Sequence, residues 1–170
     1  MKTWKIWAIT VPIILLMLCC AVIAWLWQNV STNWAPEEQA AQYVLDHTPI
    51  DHIDSYQVFT ASGLEDVFLG TDTFGHKWYA FYIPAKHTAY SVGVDELVSA
   101  KKVEQSLLQD NIHTDTYSIG YVTGEASKAL SAESSTNVVY EVRGRENGKT
   151  IFVYVDATSG HILWRYQLSA

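Results

Sequence analysis

Residues 6–27, reading IWAITVPIILLMLCCAVIAWLW, run for 22 positions without a charged side chain. At about 1.5 Å of rise per residue, a helix of that length spans roughly 33 Å, enough for a hydrocarbon core of about 30 Å. The run therefore reads as one transmembrane helix. Lys2 and Lys5 precede it and the next basic residue is Lys77. The positive-inside bias then leaves residues 1–5 in the cytoplasm and everything after Trp27 outside. Trp4, Trp7, Trp25, Trp27 and Trp34 bracket the two ends, where an indole keeps its ring in the interface and its N–H in water.

A cleaved secretory signal also begins with lysines, but its apolar core is about 7–15 residues long and ends in small side chains. Here the run is longer and ends on Trp25, Leu26 and Trp27, so it reads as a retained anchor. Cys19 and Cys20 follow Met17 and Leu18, not the small residue that lipoprotein processing requires, and read as apolar helix positions.

All 18 acidic residues and 9 of the 11 basic ones lie beyond the run, so the outer part carries formally −9. That balance argues against nucleic acid as a partner. No cysteine lies there, so neither disulfides nor thiolate metal sites are available to stabilise it. Its stability must come from packing.

Residues 28–34 form a short polar spacer. Pro36 suits the first turn of a helix, and Glu37 and Glu38 favour its positive end; Ala40, Ala41, Val44 and Leu45 supply the apolar stripe, and Pro49 ends it. Strands are expected at 53–61, 65–70, 77–84 and 87–94. In KWYAFYIP, Trp78, Ala80 and Tyr82 point one way and Tyr79, Phe81 and Ile83 the other, so both faces should be covered. The pattern then repeats. Asp95 can cap a helix running to about Gln109, with Leu97, Ala100, Val103, Leu107 and Leu108 inward. Strands follow at 114–123, 137–144, 149–155 and 161–167, with Asn147-Gly148 as a tight hairpin turn. The polar segment 124–136 reads as a loop with a short helix over 125–130. GTDTFGHKWYAFYIP in the first half is similar to GRENGKTIFVYVD in the second, 72 or 73 residues on. The expected fold is α+β: two related units, 35–94 and 95–170, each a helix packed on an antiparallel sheet.

Candidate chemistry is thin. Ser99 and Lys102 have the S-x-x-K spacing of β-lactam-binding enzymes, but neither KTG nor S-D-N follows, and a solvated helix face explains them better. The histidines, His47, His52, His76, His87, His113 and His161, include no i, i+4 pair, so no metal site and no cofactor are expected. Asp51, Asp54, Glu65, Asp66, Asp72 and Asp156 lie in or beside turns; a pair could in principle do acid/base work on a glycan, but turn chemistry and solubility account for acids in such places without catalysis. No catalytic set is assigned, and the chain is expected not to be an enzyme. Aromatics in half-exposed strands remain: Trp78, Tyr82 and Tyr90 are the candidates for docking a partner, if exposed, with core packing as the alternative.

The closing stretch, Tyr154-Val155-Asp156-Ala157-Thr158-Ser159-Gly160-His161-Ile162, resembles the strand–turn–strand end of a PepSY domain. With the N-terminal anchor, the short spacer, Tyr82-Ile83-Pro84 closing the first unit and the total length, nearly the whole chain resembles the TseB-type (formerly YpmB) cell-wall elongation regulators of Gram-positive bacteria. The resemblance implies two PepSY-like units outside a single-pass helix. It also implies a non-enzymatic regulator of peptidoglycan elongation that binds a penicillin-binding protein at the outer membrane surface. The segment 124–136 departs from the pattern. The rival readings are a PepSY-type protease inhibitor or chaperone-like module, and a carboxylate-dependent wall hydrolase.

Overall fold

A computed structural model of the chain describes residues 3–32, 36–123 and 136–168. The chain divides into two compact units, Met1–Gln39 and Ala40–Ala170. The first contains α1 (Thr3–Thr32), a helix of 30 residues that extends past both ends of the uncharged run and takes in residues 28–32, which the sequence assigns to a spacer. Its side chains are described at Val11 and 13–26, and the large apolar ones among them are exposed. Among the described residues no helix is long and apolar enough to cross a membrane. The short helix expected over 125–130 lies outside the described residues.

Helix α2 (Pro36–His47) has Glu37 and Glu38 in its first turn and stops before Pro49, where Thr48 closes it by donating both its N–H and its hydroxyl to the Val44 carbonyl, at 2.9 and 2.8 Å. Strands β1 (His52–Phe59), β2 (Glu65–Thr71), β3 (Lys77–Ile83) and β4 (Thr88–Gly93) follow as an antiparallel meander in chain order. Asp72 shapes the β2–β3 turn. Its carboxylate accepts the N–H groups of Phe74 and His76, at 2.9 and 2.8 Å, and the Trp78 indole N–H at 3.2 Å. Desolvation pushes its pKa upward, but these bonds and the one to the His76 ring outweigh that and hold it at about 2.

The second layer starts with a single 3-10 turn (Val94–Glu96), then α3 (Ala100–Gln109). The continuous helix from Asp95 is therefore corrected. Val98 donates its N–H to the Ala157 carbonyl at 2.8 Å and its carbonyl accepts the Tyr140 hydroxyl at 2.9 Å, which holds residues 97–99 extended and moves the helix start to Ala100, with Ser99 as N-cap. Strands β5 (Ile112–Tyr121), β6 (Val138–Glu146), β7 (Lys149–Asp156) and β8 (Ile162–Gln167) make a second four-stranded antiparallel meander. Asn147 and Gly148, at φ 50° and 78°, form the expected tight turn between β6 and β7. Asp156 builds the β7–β8 turn by accepting the N–H groups of Thr158 and Ser159 at 2.9 and 2.6 Å, and Gly160 supplies the positive φ of 77°.

The first sheet is the middle layer of Ala40–Ala170. On one face Ala40, Val44 and Ile50 pack over Phe68, Ala80 and Tyr82; on the other Val67, Phe81 and Val92 join one core with Val103 and Leu107 of α3 and Ile119, Val142 and Val153 of the second sheet. That is why β3 is apolar on both sides, as the sequence suggests. In each helix the i, i+4 pair, Ala40–Val44 or Val103–Leu107, sets the buried face; Leu45 and Leu108, one position and about 100° further round, turn outward, contrary to expectation.

Phe59, 2% exposed, lies directly over Gly120, where a Cβ would overlap its ring. Gly120→Ala should therefore cost about 1–3 kcal/mol, the usual penalty for overpacking. The check is a fall in the denaturation midpoint; an unchanged midpoint would show that the ring is not seated there.

Candidate functional site

The two layers meet along one edge of β5. In an antiparallel ladder alternate residues turn both backbone groups away from their neighbour strand, and at the free edge of β5 these groups need other partners. Tyr121 finds them in the first layer: its N–H donates to Glu65 Oε2 at 2.9 Å, and the Ser62 hydroxyl lies 3.2 Å from its carbonyl and 2.8 Å from Glu65 Oε1. Gln57 Nε2 donates to the Ile119 carbonyl at 3.3 Å. Glu65 is only 1% exposed, and its burial raises the carboxyl pKa against the opposing pull of the Tyr121 N–H, the Ser62 hydroxyl and Lys86. Beside it the rings of Tyr90 and Tyr121 stack, 4.2 Å apart and within 5° of parallel.

Further along the same edge the layers separate into a cleft of about 280 Å³ lined by Ser55, Tyr56, Gln57, Val67, Leu69, Tyr79, Tyr117 and Ile119. Among the described residues that line it there is no carboxylate, lysine, arginine or histidine. Tyr79 and Tyr117 line it, and the ring of Tyr140 lies 6.3 Å from that of Tyr117. Burial and the neighbouring Tyr117 raise the Tyr79 pKa; burial, then Tyr79 and Tyr117, push Tyr140 up to about 12. Tyr79 and Tyr140 therefore stay neutral hydrogen-bonding groups at physiological pH.

The aromatic candidates do not form one surface. Tyr82 pairs with Ala89 and Phe81 with Tyr90 across β3 and β4, so Tyr82 and Tyr90 lie on opposite faces of the sheet. Tyr82 is buried under α2, its hydroxyl 2.7 Å from His87 Nδ1 and its ring 5.1 Å from Tyr43. Trp78 is half-buried on that same face. Tyr90 keeps an exposed edge but spends one ring face on Tyr121.

The acids singled out in the sequence do not converge. Asp66 accepts the Tyr56 hydroxyl at 2.8 Å, Asp54 the Thr71 hydroxyl at 3.0 Å, and Glu65, Asp72 and Asp156 have the structural partners given above. His47 stacks on Tyr43 at 4.0 Å, and His76 sits 3.0 Å from Asp72. Among the described residues no group of three histidine, cysteine, aspartate or glutamate side chains could hold a metal ion. Ser99 caps α3, with the Lys102 N–H on its carbonyl at 2.9 Å and both Lys101 and Lys102 exposed.

Two features escaped the sequence reading. One is the β5 edge, for which Gly120 inside a strand pattern is the available signal, since such a glycine marks a close approach by another group. The other is an aromatic ladder on the second sheet, Tyr154–Trp164–Tyr166, with centroids 5.7 and 5.8 Å apart and both Trp164 and Tyr166 about half exposed.

The described architecture defines an α+β protein of two four-stranded antiparallel sheets with accompanying helices. Among solved structures it is similar to the YpmB protein from Bacillus subtilis, with a TM-score of 0.63 and 21% sequence identity over 80% of this chain and 100% of that one. The two share a fold. No family model and no curated protein sequence matches the chain.

Glu65→Gln should preserve the joint, because Oε1 can accept the Tyr121 N–H while Nε2 donates to Ser62, which still donates to the Tyr121 carbonyl. Because the folded-state pKa of Glu65 is raised, its favourable contribution is fully present below its ordinary range near 4.5 and is lost as pH rises through the folded value. The stability of Glu65→Gln relative to the parent should therefore grow as pH rises from below 4.5 towards neutrality. Glu65→Ala leaves the Tyr121 N–H unpaired and should cost about 1–3 kcal/mol. Denaturation curves across that pH range check both; a difference that does not change with pH would contradict the assignment.

Proposed function

We propose that this chain is a single-pass, membrane-anchored regulator of peptidoglycan elongation, with a cytoplasmic N-terminus and PepSY-like extracytoplasmic layers that act by binding a penicillin-binding protein. The observation that carries the reading is the fold shared with YpmB over the whole of its solved chain. It agrees with the sequence resemblance to the TseB-type regulators. The sequence adds support: residues 6–27 carry no charged side chain and are numerous enough for a helix to span a hydrocarbon core. The acids add more. Glu65, Asp66 and Asp156, the buried carboxylates among the described residues, are committed to a layer joint, a tyrosine hydroxyl and a turn, which is structural employment. An anchored domain that works by contact also gains from confinement, because a shared membrane surface raises its effective concentration towards membrane-bound synthases.

The test is a crosslinking pull-down of the full-length chain from its native cells, beside a version with a foreign membrane helix. Penicillin-binding proteins should be recovered with both. Recovery of exported proteases in place of any wall synthase would overturn the proposal in favour of a protease-inhibitor role.

A further inference from the structure

The β5 edge is used unequally along its length. Ile119 and Tyr121 direct edge groups at Gln57, Ser62 and Glu65 of the first layer. Tyr117 stands two residues before Ile119 and pairs with Val142 as Ile119 pairs with Tyr140, so its N–H and carbonyl point out along the same edge. Among the described residues nothing takes up either group, and Tyr117 lines the cleft. Exposed edge groups of this kind are the template on which another chain pairs.

We propose that this cleft is a peptide-binding site in which an uncharged, extended segment of a partner protein adds to β5 as a short strand, hydrogen-bonded at Tyr117. Three features define the occupant. The unmet backbone donor and acceptor are read by another backbone, the mode of strand addition in which main-chain bonds supply affinity and alternate side chains supply specificity. The described lining offers hydroxyl, amide and apolar surface (Ser55, Gln57, Tyr79, Val67, Leu69) and no charged side chain, so it complements a neutral segment, whereas the outer part as a whole is strongly acidic. The volume, about 280 Å³, sits at the lower limit of the roughly 300–1,000 Å³ of small-ligand sites and fits a few residues of extended chain. The site also continues a joint that the protein already makes, since Gln57 both lines the cleft and caps Ile119.

This inference rests on the reading of the outer domain as a binding module but not on which protein supplies the segment. The probe is a phage-displayed library of random dodecapeptides, panned on the full-length chain in lipid nanodiscs. Enriched peptides should slow hydrogen exchange at the Tyr117 amide by about tenfold or more. Ser55→Arg, which sets a long cationic side chain at the cleft from an exposed position, should weaken their binding by at least about tenfold. Trp164→Ala, on the aromatic ladder, should leave binding within about twofold. Failure to enrich any peptide overturns the proposal, as does a bound peptide that leaves Tyr117 exchange unchanged. If Ser55→Arg lowers the unfolding midpoint, exchange at Tyr117 in the unsubstituted chain decides alone. Peptide binding at the cleft together with a pull-down empty of synthases would remove the proposed partner and keep the site; the reverse would remove the site and keep the partner.

Discussion

The fold of Ala40–Ala170 depends on how one sheet edge is closed. A meander leaves its outer strands with unpaired backbone groups, and β5 is such a strand. The first layer closes it with side chains: Glu65 and Ser62 at Tyr121, and Gln57 at Ile119. Phe59 fixes the distance of approach by lying on the bare backbone of Gly120, and its burial contributes about 1.5–3 kcal/mol. Once these contacts are made, Val67, Phe81 and Val92 have a surface to bury against, and the first sheet becomes an interior layer. Without them its second face would be an exposed apolar patch.

Much of this was legible in the sequence because it is local. The alternation in KWYAFYIP anticipates a strand covered on both faces, Asn147-Gly148 anticipates a tight turn, and Pro36 and Pro49 bound α2. The failures were non-local. Asp95 looks like a helix cap, but a tyrosine hydroxyl 42 positions away holds Val98 extended and moves the start of α3. Leu45 and Leu108 fit an apolar stripe by spacing, yet each helix buries a narrower face than the stripe allows. Glu65 was visible as an acid near a turn, but nothing in its neighbourhood reveals that its partner is the backbone of a strand 56 residues away. The cleft was equally hidden, since residues from β1, β2, β3 and β5 converge there without any motif.

The same arrangement bears on function. A carboxylate that accepts an N–H and a hydroxyl across a joint is a structural element, and so is one that nucleates a turn. What the layers leave open is hydrogen-bonding and aromatic surface: the uncharged cleft at β5, and the Tyr154–Trp164–Tyr166 ladder on the second sheet. Both suit contact with other molecules, and at the cleft the unmet backbone groups of Tyr117 specify the form of an occupant. The two layers thus leave an opening where their joint ends.

The central claim is that the joint makes the two layers one cooperative structure. Fluorine labelling of the tryptophans tests it, because Trp78 lies in the first layer and Trp164 in the second. In urea followed by fluorine NMR, the folded resonances of both should disappear at the same denaturant concentration, and Glu65→Ala should lower the two midpoints together. Separate midpoints for Trp78 and Trp164 in the unsubstituted chain would contradict the account, since each layer would then be folding without the other.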